Sequence, residues 1–344
     1  MVFRHSLGQA RPLARGKRRA LAWLAVTAAA AALVFAHPIP ARAAEPVASY
    51  PSKVIRIIVP NPPGGASDVL ARLLGKKLTE KWGQSVVVEN KAGANGSIGA
   101  NFVAKSDADG YTLLLMDSGS LTISPSIMKL NYSPTEDLTP ISIVAYSPHI
   151  LVVSNKLPVH NLQELIAYAK ANKGKLNYGE TAGSITHLAG VLLAQKEGID
   201  WNYIGYKGGS QVLTDLTGGQ IDVTMNSFLA TYPLVKGGAI RLIAVASPQR
   251  YAPIPDTPAI AERVPDFVTG SWQALLAPAG TPPGVVEKIH AAITEITAQA
   301  DTKQRFVELG SEPVHKTPAE IATWLREETA RWGKVVKDGD IKVF

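Results

Sequence analysis

Ile150-Leu-Val-Val-Ser-Asn-Lys-Leu-Pro158 and Ala274-Leu-Leu-Ala-Pro-Ala-Gly-Thr-Pro282 follow one plan. Each is an apolar strand, a short turn ending in proline, and then an amphipathic helix. A matched pair of strand exits suits a chain that crosses between two bodies and later crosses back. The expected organisation is a first domain made of 45–148 and 271–344, with a second domain, 149–270, inserted into it. Two lobes joined by two crossover strands enclose a cleft, and clefts between domains are preferred ligand sites.

Outward from these segments, short apolar runs alternate with helical stripes, the pattern of α/β domains. Val54–Val59, Ser85–Glu89 and Tyr111–Met116 read as buried strands. Leu70, Leu73, Leu74 and Leu78 give a helix with one core-facing stripe. The middle block supplies strands at Leu176–Tyr178, Asn202–Tyr206, Ile221–Met225 and Ile240–Ala246, with helices near 185–197 and 210–217. Asn161-Leu-Gln-Glu164 and Thr317-Pro318-Ala-Glu320 are capping boxes. The second opens a terminal helix expected to bury Ile321, Trp324, Leu325 and Trp332.

The segment richest in chemistry is Val59-Pro-Asn-Pro-Pro63-Gly64-Gly65-Ala66-Ser67-Asp68, between the first strand and the first helix. Its prolines stiffen the entry, and its glycines permit close backbone approach. It delivers unpaired N–H groups at a helix N-terminus, where an anion is welcome. A tight turn with a Ser or Asp cap is the plainer reading. The inserted domain repeats the device at Gly179-Glu-Thr181-Ala182-Gly183-Ser184-Ile-Thr186-His187. Two such units, one per lobe, are expected to face each other and hold one small anion with N–H groups and hydroxyls, since neither loop contains Arg or Lys. Lys91–Ala100 is a third glycine-rich loop, either a turn or part of the cleft wall. No phosphate-binding Gly-Lys-Ser/Thr pattern is present.

Arg4, Arg11, Arg15, Lys17, Arg18 and Arg19 precede an apolar run from Ala20 to Ala36 and a small-residue site ending at Ala43-Ala44. That order marks residues 1–44 as an export signal cut near Ala43. The apolar run is shorter than the ~20 residues a spanning helix needs. The leader holds seven of the 35 Lys and Arg and none of the 28 acidic residues, so the remaining chain carries 28 of each. The basic balance belongs to the leader, and nucleic acid is not an expected partner.

Cysteine is absent, which excludes disulfides, thiolate metal sites, cysteine nucleophiles and a lipid-anchoring cysteine. There is no Gly-x-Ser-x-Gly elbow and no His-Glu-x-x-His. His149, His160, His187, His290 and His315 are scattered without metal-ligand spacing. No catalytic residue, metal or cofactor is expected. A periplasmic enzyme is the rival class, and it would need an acid–base pair that no motif supplies. His187 is read either as packing at a helix start or as facing the cleft. Trp272 is read either as stacking on a ligand or as packing the hinge.

From Tyr50 to Lys337 the chain closely resembles the Bug-type solute receptors of tripartite tricarboxylate transporters. The landmarks are Tyr50-Pro-x-Lys53, the Pro-Pro-Gly-Gly-x-x-Asp-x-x-Ala-Arg segment ending at Arg72, and Val88-Glu-Asn-Lys-Ala-Gly93. Others are Asp109-Gly-Tyr-Thr112, His187-Leu-Ala-Gly190, Tyr206-Lys-Gly208, Gly218-Gly-Gln-Ile-Asp222 and Leu276-Ala-Pro-Ala-Gly-Thr-Pro282. The resemblance implies a type II periplasmic-binding-protein fold that closes like a flytrap on a small organic acid or acidic amino acid. It implies a membrane permease of the tripartite tricarboxylate type as partner, with a membrane sensor kinase as the alternative, and a monomer is expected. Contacts carried over fall on Pro63–Asp68 and Thr181–His187, with Asn226 where the family often has a polar pair. Asp117, in the turn after Leu115, would favour a ligand with a cationic group if it lies in the cleft.

Overall fold

The computed structural model describes residues 46–341; the expected leader lies outside the described residues. The first portion runs β1 (Ile55–Val59), α1 (Ala66–Trp82), β2 (Val86–Asn90), α2 (Ser97–Ala104), β3 (Thr112–Asp117), α3 (Ser118–Ile127) and the long β4 (Leu138–Ser154). The middle adds α4 (Leu162–Ala171), β5 (Asn177–Thr181), α5 (Ile185–Glu197), β6 (Asn202–Tyr206), α6 (Gly209–Gly218), β7 (Val223–Ser227), α7 (Phe228–Lys236) and β8 (Ile240–Val245). The return consists of β9 (Gly270–Pro278), α8 (Pro283–Ala298), α9 (Ala300–Glu308) and α10 (Pro318–Asp338).

The strands lie in the order β2-β1-β3-β9-β4-β7-β5-β6, with β8 also on β4. β1 pairs in parallel with β2 and β3, and β5 in parallel with β6 and β7. Strand β4 belongs to both halves. Leu138–Pro148 pair antiparallel with β9, whereas His149–Ser154 pair with β7 and β8. The pairing partners of β4 therefore change at Pro148–His149, and Thr269–Gly270 run beside that point, with the His149 N–H donating to the Thr269 carbonyl at 3.2 Å.

Alternation along the strands fills both faces of each half. Leu113 and Leu115 pack with α1 and α8 residues, while Leu114 and Met116 face α10. Leu151 and Val153 join the α4–α5 core, and Ile150 and Val152 the α6–α7 core. The N-terminal half of β4 was not legible because Pro140 and Pro148 interrupt it. Pro140 stands at a register shift and Pro148 at the lobe boundary, two places where a strand tolerates a missing donor.

The terminal helix reaches further than its assignment to the first domain. Ile321 and Leu325 pack in the β3–β9 core, while Trp332, Val335 and Val336 are buried in the core of the inserted lobe. Arg331 also donates to the Val268 carbonyl at 3.0 Å. One helix closes over both lobes.

Candidate functional site

The first loop is built around Asp68. Its carboxylate caps the loop by accepting from the Gly64 N–H at 2.9 Å, from Arg72 at 2.9 and 3.0 Å, and from the Asn90 amide at 3.0 Å. The Arg72 guanidinium holds its pKa down to about 2. This buried side chain is fully engaged in shaping the loop. Ser67 is likewise committed, donating to Gln273 Oε1 at 2.7 Å. What the loop presents is backbone: Pro63, Gly64, Gly65 and Ala66 are exposed, and no side chain caps the N-terminus of α1. Gly64 has φ +88°, which glycine allows without strain.

In the second loop, Ser184 caps α5, accepting from the His187 N–H at 3.3 Å and sharing a 2.7 Å hydrogen bond with the Thr186 hydroxyl. Thr181 accepts from the Ser184 N–H at 3.0 Å through its carbonyl. Ala182 is exposed and Gly183 takes φ +70°. His187 Nδ1 accepts the Gly183 N–H at 3.2 Å, so the ring braces the loop from behind and must carry its proton on Nε2. Burial lowers its pKa to about 4. The ring lines a 520 Å³ hollow shared with Glu180 and Tyr203, where burial lifts Glu180 to about 7. Neither of the two hollows described next is lined by His187.

Two hollows lie between the lobes. One, of 170 Å³, is lined by Asn95, Asp117, Gly119, Gly183, Ser184 and their neighbours. The other, of 90 Å³, is lined by Ala66, Ser227, Ser271, Gln273 and an apolar floor that includes Leu70 and Leu229. The two glycine loops thus line neighbouring hollows, not one. The wall between them is a hydrogen-bonded web: Asp117 Oδ1 accepts from the Gly119 N–H at 2.8 Å, and Oδ2 accepts from the Ser271 hydroxyl and from Gln273 Nε2 at 3.3 Å. Burial pushes the Asp117 carboxyl up, while its hydrogen bonds pull the other way.

Four helix starts border these hollows, at Ala66, Gly119, Ile185 and Ser227. No Lys or Arg lines either one. Helix-terminal N–H groups, neutral hydroxyls and the side-chain amides of Asn95 and Gln273 are the positive-ended groups there, enough to receive a carboxylate without a fixed cation.

Two further expected site residues have protein partners of their own. Asn226 donates to the Gly209 carbonyl at 3.2 Å and packs against the start of α6, while its neighbour Ser227 faces the hollow. Trp272 stacks between Tyr146, at 4.0 Å between centroids, and Trp324, at 5.1 Å. It packs the hinge, and Ser271 and Gln273 on either side of it face the cleft. Sequence reasoning missed that pair although period-two alternation offers it. Of the third glycine-rich loop, Asn95 reaches the cleft wall.

The sequence family described as "Tripartite tricarboxylate transporter family receptor" matches residues 70–341. The chain belongs to this receptor family. The matched span contains the second loop and begins just after the first. Protein BugT of Bordetella pertussis is 38% identical over 299 residues, covering 86% of this chain and 92% of BugT. Among solved structures, this receptor is similar to Rpa4515 of R. palustris with adipate, at 34% identity and TM-score 0.74, covering 85% and 99% of the two chains. It is also similar to MatC of Rhodopseudomonas palustris with bound malate, at 29% identity and TM-score 0.70, covering 83% and 100%. The receptor shares their two-lobed α/β fold, and its family is one of periplasmic solute-binding proteins. Among the described residues, no helix is long and apolar enough to cross a membrane.

Proposed function

We propose that this receptor, exported and cut near Ala43, traps a small organic carboxylate between its lobes and delivers it to a permease of the tripartite tricarboxylate type. The observation that carries the reading is the meeting of four helix N-termini and a set of neutral hydroxyls around hollows that no Lys or Arg lines. The ligand carboxylate is held by the backbone N–H groups left open at the two helix starts, Gly65 and Ala66 before α1 and Ile185 in α5, with Ser227, Ser271 and Gln273 completing the enclosure. Malate and adipate in the relatives' structures support this class of ligand. The protein binds without turning its ligand over, acts as a monomer and needs no cofactor. The lobes divide at 148/149 and 270/271, where β4 and β9 cross.

The test is a thermal-shift screen of organic acids, malate and adipate included, followed by calorimetry, because a true ligand stabilises only the folded state. Binding of a small acid by the mature protein supports the reading, and failure across the whole panel sinks it. Mass spectrometry of the exported protein checks the cut near Ala43.

A further inference from the structure

Resting on that reading, we propose that Asp117 sets the ligand class: the cleft selects a carboxylate that also carries an ammonium group over a simple mono- or dicarboxylate. Asp117 ends β3 and lines the 170 Å³ hollow together with Gly183 and Ser184 of the opposite lobe. Through Gln273 it is also linked to Ser67 beside the first loop. It therefore stands between the two loops that receive the carboxylate.

Capping alone does not call for a negative charge at this place. Three other helices are capped by side chains, and the caps are neutral: Asn161 on α4, Ser184 on α5 and Thr317 on α10. Among the described residues only α3 takes a carboxylate cap, and of the two side-chain-capped helices whose starts line this hollow, α5 manages with neutral Ser184. The other oxygen of Asp117 accepts from Ser271 and Gln273, both neutral, and no Lys or Arg lines the adjoining hollows. The contrast with Asp68 is direct, since that buried carboxylate has Arg72 against it. A carboxylate ligand closed in beside Asp117 brings a second like charge into a space shielded from water. At an effective dielectric of ~20 and a separation of ~6 Å, that repulsion is roughly a hundredfold in affinity. An ammonium group on the ligand reverses the sign. The adipate- and malate-bound relatives hold diacids without an ammonium group.

The experiment is calorimetry on the mature receptor with matched pairs: L-glutamate and glutarate, L-aspartate and succinate, 4-aminobutyrate and butyrate. The ammonium member of at least one pair should bind tenfold or more tighter. Asp117→Asn and Asp117→Ser both retain a good capping side chain. Each should shrink that preference to threefold or less, chiefly by improving the plain acid. Thermal melts confirm that the variants fold, and the wild-type ranking alone is decisive if they do not. A plain acid that binds as tightly as its ammonium partner overturns the assignment, as does a preference that survives in both folded variants. If diacids bind and their amino counterparts do not, only the role of Asp117 falls. If no acid binds, the carboxylate-receptor reading falls with it.

Discussion

Trp272 and Gln273 are neighbours in sequence and stand on opposite faces of β9: the indole stacks 4.0 Å from the Tyr146 ring, while the amide lines the cleft and accepts from Ser67. Their substitutions should separate accordingly. Trp272→Leu is expected to cost about 2–4 kcal/mol of stability through lost hinge packing, with affinity for the screened ligand within threefold. Gln273→Leu should weaken binding at least tenfold, because it leaves the Ser67 hydroxyl without its acceptor and removes one of the donors to Asp117. Urea unfolding beside calorimetry reads both, and a reversed pattern would place the indole at the ligand.

The two glycines of the first loop also differ. Gly64 sits at φ +88°, so Gly64→Ala should destabilise by roughly 1–2 kcal/mol through left-handed backbone strain. Gly65 has φ −76°, and an added Cβ would meet only the Pro62 carbonyl at 3.9 Å. Gly65→Val should therefore melt within a few degrees of wild type, yet lose at least tenfold in ligand affinity by crowding the exposed N–H groups. Wild-type binding by Gly65→Val would remove this loop from the site.

Glu180 gives a pH prediction. It is buried, its Oε2 has no hydrogen-bond partner, and its pKa is raised to about 7. A raised carboxyl lets the folded state keep its proton where the unfolded chain has lost it. Its favourable contribution is thus complete below the ordinary value of 4.5 and is lost as pH rises through about 7. Glu180→Gln should gain on wild type across that window, by about 2 kcal/mol at pH 8. His149 and His187, both lowered to about 4, tilt wild-type stability the other way between 4 and 6.5. The difference between variant and wild type in chemical denaturation at pH 5 and pH 8 is therefore the measurement, and a difference independent of pH would refute the assignment.

Trp332 is buried in the inserted lobe although its helix begins against the other. Trp332→Ala should cost about 3–5 kcal/mol. Because Ile321 anchors the far end of the same helix, Trp332→Ala should also expose amides of α5 to hydrogen exchange, whereas Ile321→Ala should expose those of α3. Exchange confined to α10 in both variants would show that the helix is only a cover.

Periodicity and capping chemistry reveal most of the frame. The capping boxes at Asn161 and Thr317 open helices where expected, and the strand–glycine–helix units lie at both lobes. Two helices escaped. One starts at Ser118, behind an Asp117 that was read as part of a turn, and the other at Phe228, whose Ser227 cap makes no side-chain bond. The site was legible in its loops and less so in its side chains. Asp68, His187, Asn226 and Trp272 have the chemistry of contacts but are occupied by Arg72, Gly183, Gly209 and Tyr146. Residue type announces what a side chain can bind, and only the fold reveals which partner has already taken it.

The terminal helix changes what kind of joint the molecule has. Two antiparallel strands alone would let the lobes swing about them like a door on its hinge pins. A rigid rod seated in both leaves, with Leu325 in one and Trp332 in the other, acts as a stay. It permits only rotations whose axis runs close to the rod, unless the packing of one end is given up. Travel between open and shut would then be short and its path nearly fixed, and widening the gape would require unseating an aromatic ring far from the ligand.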